Sequence, residues 1–94
     1  MRLARKTDPA TSHDAARRAA EFAGSQRARI LALLRQQGPL SPEVIGQQLG
    51  LEPYAVRKRL PELQEAGLAE PTGQIQQTMS GRWQRVWRAT EEAR

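Results

Sequence analysis

Apolar residues recur at spacings of three and four through most of this 94-residue chain, then change to a strand-like pattern near its end. Ala15, Ala16, Ala19, Phe22 and Ala23 fall on one helical face, with Asp14, Arg17, Arg18 and Glu21 on the other. Thr11, with Asp14 three residues on, fits the capping-box spacing, and Gly24 is suited to end the helix. A first helix is therefore predicted over 11–24. Its alanine-lined face would bury little area but would let another element approach closely. Ser25 is a second N-cap candidate, opening a helix whose inward stripe is Ile30, Leu33 and Leu34, widened by Ala28 and Leu31, and whose end is Gly38-Pro39.

The stretch from Ser41 to Gly67 carries the clearest punctuation in the chain. Ser41 followed by Pro42 is a strong helix start, because serine caps a free amide and proline at the first helical position gives up no hydrogen bond. Val44, Ile45 and Leu49 form its buried side, and Gly50 ends it where the chain must turn sharply. After Leu51-Glu52, Pro53 opens another helix, with Val56, Leu60 and Leu63 inward and Tyr54, Arg57 and Lys58 outward. Arg59 lies at the edge of the inner face, suited to a phosphate or to an internal carboxylate. Pro61 lacks an amide donor and crowds the carbonyl of Arg57, at a cost of up to about 3 kcal/mol, so a kink or break is expected there. Gly67 is the stop. Two short helices joined by a tight turn, the second carrying cations on its outer face, read as a helix-turn-helix that binds nucleic acid.

Residues 71–90 read as a hairpin. With Ser80-Gly81 as a two-residue turn, Ile75 would face Val86, while Gln74, Gln76 and Thr78 would share the opposite face with Trp83, Arg85 and Trp87. Each face would then hold something apolar.

Charge sharpens this picture. Fifteen Lys and Arg against ten Asp and Glu give +5. The distribution says more than the excess: from Pro53 to Leu60 and from Gly73 to Ala89 every side chain charged at neutral pH is basic, namely Arg57, Lys58, Arg59, Arg82, Arg85 and Arg88. A charge run is usually a solvated face. Here the two runs coincide with the elements that a DNA-binding helix-turn-helix uses, which favours a functional surface. Residues 1–10 carry three basic residues and no periodicity, and read as a flexible arm.

The lack of cysteine removes disulfides and thiolate chemistry, and the lone His13 cannot build a metal cluster. No glycine-rich phosphate loop is present, and the acid pairs Glu62/Glu65 and Glu91/Glu92 look like solvated positions. The expectation is therefore no enzyme, no cofactor and no metal. No apolar run would span a bilayer, and Met1 to Lys6 leads into polar sequence instead of a signal segment, so a cytoplasmic protein is expected, nucleoid-associated when bound to DNA.

The run VRKRLPELQEAGL from Val56 to Leu68, with the later SGRWQRVWRAT, resembles the winged-helix DNA-binding domains of bacterial and phage regulators. Residues Asp8 to Ala20, DPATSHDAARRAA, are similar to a box of small phage and prophage proteins that carry such domains. The resemblance implies a mainly α fold with a small β-hairpin: a winged helix-turn-helix with a three-helix core and a wing, here with an extra N-terminal helix. It implies a recognition helix, Pro53 to Ala66, in the major groove, and a wing with its tip at Met79 to Trp83 on backbone or minor groove. The organisation expected is an arm over 1–10, an accessory helix over 11–24, the winged-helix domain over 25–90 and a tail over 91–94. Tyr54, Arg57 and Lys58 are the candidate base readers, and Arg59, Arg82, Arg85 and Arg88 the candidate phosphate contacts. Double-stranded DNA is the expected partner, with a homodimer and a host or phage protein as further candidates. The rival reading is a winged-helix interaction module, a phage adaptor or assembly protein, favoured by the Trp83 and Trp87 pair. RNA is a third reading, since charge alone does not distinguish the polymers.

Overall fold

In the computed structural model, residues 9–90 are described, with side chains from Asp14 onward. The elements are α1 (Pro9–Gln37), α2 (Pro42–Leu49), α3 (Pro53–Glu65), β1 (Ala69–Gln77) and β2 (Trp83–Ala89). The first eight residues of the expected arm, the Thr11 capping side chain and the 91–94 tail lie outside this description.

α1 corrects the expected pair of helices, since its 29 residues run unbroken through Gly24 and Ser25. A glycine inside a helix costs only about 1 kcal/mol relative to alanine. The alanines and arginines on both sides are good helix formers, and no proline forces the chain out. The alanine face is not covered either. Ala15 to Ala20 are exposed, Phe22 is 65% exposed, and the helix carries this end beyond the core of a molecule 57 Å long and 19 Å thick. Burial begins at Gln26, and Ala28 also stays in solvent.

The middle of the chain follows its punctuation. Ser41 sits in extended backbone and its Oγ accepts the Val44 amide at 3.4 Å. Gly50 adopts the left-handed conformation at φ 69°, which lets Leu51 donate back to the Gly46 carbonyl at 3.0 Å. The turn closes over Gly46 because that residue lacks a side chain: a Cβ there would stand 2.9 Å from the Leu51 carbonyl oxygen. α3 corrects the expectation at Pro61, since the helix continues through it to Glu65. Leu60 and Leu63 are both buried and hold the helix on either side of it. Pro61 itself stands on the exposed face, where water can satisfy the carbonyl that loses its donor.

The hairpin register differs by one residue from the expected one. Ile75 pairs with Arg85 and Gln77 with Trp83, because the loop has three residues, Met79, Ser80 and Gly81, instead of two. Gly81 takes φ 92° and donates to the Thr78 carbonyl at 3.0 Å, so its left-handed backbone closes the longer loop. A second irregularity lies between Pro71 and Ile75, beyond which Pro71 pairs with Trp87. The other edge of β2 is also used: Leu40 and Trp87 exchange backbone hydrogen bonds of 2.9 and 2.8 Å, tying the hairpin to the segment between α1 and α2.

The core gathers Ile30, Leu31, Leu33 and Leu34 of α1, Ile45 of α2, Val56, Leu60 and Leu63 of α3, with Ala69 and Trp87 of the hairpin. Burying each large aliphatic contributes about 1.5–3 kcal/mol, and together they fix α3 and the hairpin as one rigid surface. Among the described residues, no helix is long and apolar enough to cross a membrane.

Candidate nucleic-acid interface

With Val56, Leu60 and Leu63 buried, the helical period leaves Tyr54, Arg57 and Lys58 on the outer face of α3, and all three are exposed. Lys58 Nζ lies 5.7 Å from the centre of the Tyr54 ring, a cation–π distance that holds the two side chains together.

Arg57 occupies the junction between α3 and the hairpin. It lines a cleft of about 440 Å³ with Ser80 of the hairpin loop, Thr78 and Arg82 on either side of that loop, and Glu43 and Gln47 of α2. It also lines a second cleft, of about 300 Å³, with Arg85 and Trp83 over Leu60, Pro61 and Trp87. Arg57, Arg82 and Arg85 are thus brought together from elements up to 28 residues apart, and among the described residues none of them, nor Lys58, has a carboxylate partner in an ion pair. Three arginines without acidic partners, gathered around the clefts between α3 and the hairpin, are arranged to attract a polyanion.

The other two basic candidates are otherwise engaged. Arg59, expected on phosphate, turns inward: its side chain is 13% exposed, Nη1 donates to Glu62 Oε1 at 2.7 Å and Nε to Gln26 Oε1 at 3.1 Å. The reason is its position beside the inner stripe of α3, where α1 supplies a buried glutamine. Arg27 of α1 donates to the same Glu62 oxygen at 2.8 Å. Its hydrogen bond holds the Glu62 carboxyl below its ordinary pKa, with the bond and charge of Arg59 adding to the effect and partial burial opposing it. This group ties α1 to α3, beside the apolar stripe that sets which face of α3 looks outward. Arg88 alternates onto the other face of β2 and pairs with Glu70 of β1, its Nη2 2.7 Å from the carboxylate.

The two tryptophans separate cleanly. Trp87 is 7% exposed within the core, whereas Trp83 is 63% exposed on the hairpin.

Glu43 and Gln84 carry contacts that sequence reasoning missed. The Gln84 side chain accepts the Glu43 amide at 3.0 Å, and both Glu43 carboxylate oxygens lie 3.2 Å from the Met79 amide. These bonds hold the hairpin loop against the start of α2. Nothing local announces them, since the partners are 36 and 41 residues apart.

The profile of a family described as "Helix-turn-helix domain" matches residues 25–72. No curated protein matches the chain. Among solved structures, the Zalpha domain of Carassius auratus PKZ, in complex with Z-DNA, is similar over 73% of this chain and 98% of that one, with a TM-score of 0.60 and 20% identity. ZitR of Lactococcus lactis, solved as an apo mutant, is 29% identical, with 99% of this chain matched to 65% of ZitR at a TM-score of 0.58. The transcriptional regulator PA4135 is 18% identical, with 97% of this chain matched to 68% of that one at a TM-score of 0.56. Three helices followed by a two-stranded antiparallel hairpin, in the arrangement of these neighbours, make this a winged helix-turn-helix fold.

Proposed function

The chain belongs to the helix-turn-helix domain family, and from that premise we propose that it is a double-stranded DNA-binding protein that regulates transcription, with α3 in the major groove and the hairpin as a wing on the backbone or minor groove. The observation that carries the proposal is the convergence of Arg57, Arg82 and Arg85, without acidic partners, on the clefts between α3 and the wing. Tyr54, Arg57 and Lys58 are the base-reading residues. Arg57 suits a guanine edge, and Tyr54 a thymine methyl or a phosphate. Arg82 and Arg85 are the phosphate contacts. Arg59 and Arg88 drop out of that role, held by Glu62 and Glu70. That one neighbour was solved with Z-DNA, and another is a transcriptional regulator, supports both halves of the proposal. The phage or prophage setting rests on the Asp8 to Ala20 resemblance alone.

Fluorescence anisotropy over a series of salt concentrations tests the proposal. Two phosphate contacts give a slope of log affinity against log salt of roughly −1.8, and recruitment of Arg59 and Arg88 as well would give roughly −3.6. Selection of bound duplexes from a random pool then reports the site, and an enriched palindrome would reveal a homodimer. A left-handed duplex belongs among the probes. No binding to any duplex at low salt sinks the proposal.

A second reading has its own observation. Trp83, Ile75 and Met79 leave 63%, 61% and 87% of themselves exposed on one hairpin, and exposed tryptophan is favoured in protein interfaces. This supports a winged-helix interaction module, and a chain that enriches no duplex would favour it.

A further inference from the structure

The cleft between α2, α3 and the wing loop contains one acid among hydrogen-bond donors. Its lining brings together Arg57, Arg82, Thr78 and Ser80 with Glu43, whose carboxylate accepts from the amide of Met79, the residue between Thr78 and Ser80. Among the described residues Glu43 has no cationic partner in an ion pair, although two arginines line the same cleft. Its carboxylate oxygens are both directed at a single backbone amide, 3.2 Å away. An anion held by a loop amide, with guanidinium groups on the surrounding walls, is the chemistry that binds a phosphodiester.

We infer that this cleft is a phosphodiester subsite of the DNA interface, and that in the free protein the Glu43 carboxylate stands in for the phosphate. The inference rests on the DNA-binding reading and adds to it a specific exchange. On binding, a backbone phosphate takes the Met79 amide and the field of Arg57 and Arg82, and Glu43 swings out to solvent. Gln84 keeps the wing in place during this exchange, because its side chain holds the Glu43 backbone amide, not the carboxylate. Glu43 thus opposes binding through its charge while its backbone helps to position the wing.

A carboxylate that only clamps the wing loop through Met79 and one that stands in for a phosphate predict opposite signs for the same substitution. Glu43→Gln keeps an oxygen able to accept from Met79 and removes the charge. If the carboxylate is a stand-in, this variant binds duplex DNA about three- to fivefold more tightly at low salt, as expected for removing one charge from the edge of a phosphate site. The gain shrinks as salt is raised, and it disappears when Arg82→Ala is added. In the wild type, NMR titration with duplex shifts the Met79 amide resonance. Glu21→Gln, exposed on the N-terminal part of α1 and outside the cleft, is the control for net charge and changes affinity less than twofold. The inference is overturned if Glu43→Gln binds as the wild type or more weakly, if Glu21→Gln gains as much, or if the Met79 amide does not respond to DNA. Each of these leaves DNA binding by the wild type intact. A wild type that binds no duplex overturns both.

Discussion

Arg57 and Arg59 stand two positions apart on one helix, with the same side chain, and have opposite surroundings. Arg57 is exposed at the junction of α3 and the wing, whereas Arg59 is folded into the contact between α1 and α3, where Gln26 and Glu62 take its donors. A step of two residues turns the helix by about 200°, enough to move a guanidinium from solvent to the interior edge. The lesson is that charge count overstates the interface. Of the basic residues on α3 and the wing, Arg59 and Arg88 are held in ion pairs, and among the described residues Arg57, Lys58, Arg82 and Arg85 are not.

The largest expected effect breaks the comparison from the Arg57 side. Arg57→Ala costs about 1–3 kcal/mol of affinity for the preferred duplex and relaxes sequence preference, measured by anisotropy on selected and random duplexes. Its melting temperature stays near that of the wild type, because an exposed arginine without an acidic partner contributes within about 0.5 kcal/mol. An equal loss on both duplexes would remove the base-reading role.

The next effect comes from the other member of the pair. Glu62→Ala strips Arg59 of its carboxylate and destabilises the domain by about 1 kcal/mol, a modest figure because the Glu62 side chain is itself 37% exposed. Chemical denaturation measures it. DNA affinity should change little, and a steeper salt slope in this variant would mean that the freed Arg59 has become a phosphate contact.

Arg82→Ala weakens selected and random duplexes alike and makes the salt slope shallower by about 0.9, one phosphate contact fewer. A loss confined to the selected duplex would transfer Arg82 to the base readers.

The smallest effect is in acid. The Glu62 carboxyl is held below its usual value of 4.5, so its stabilising contribution is complete above that pH and is lost as pH falls through the lower folded value. Denaturation midpoints followed downward from pH 5 should fall more steeply for the wild type than for Glu62→Gln. Parallel curves would show that the carboxylate contributes nothing.

Much of the fold was legible because its signals are local. Ser41, Pro42, Gly50 and Pro53 mark α2 and the start of α3 by backbone chemistry that acts within one turn, and α2 begins and ends, and α3 begins, where those signals put them. The buried stripe Ile30, Leu33, Leu34, Ile45, Val56, Leu60 and Leu63 was readable from its period alone. Gly24 and Pro61 misled for a common reason: each carries a local cost of a few kcal/mol at most, and the surrounding helix absorbs it. The hairpin register misled because two- and three-residue loops both suit Ser80-Gly81, and a slip of one residue changes every partner.

By itself, then, the sequence determined the helix-turn-helix, the helical part of the core and the basic character of α3 and the wing, all of which follow from composition, periodicity and capping within a few residues. Only the tertiary structure decided which cations are free. Arg59 meets Gln26 across 33 residues and Arg88 meets Glu70 across 18, while Glu43 reaches Met79 across 36. Such contacts depend on how helices and strands pack, and packing is a property of faces brought together from distant parts of the chain. For the same reason the two clefts that Arg57 shares, one with Arg82 and Glu43 and the other with Arg85, exist only in the folded molecule.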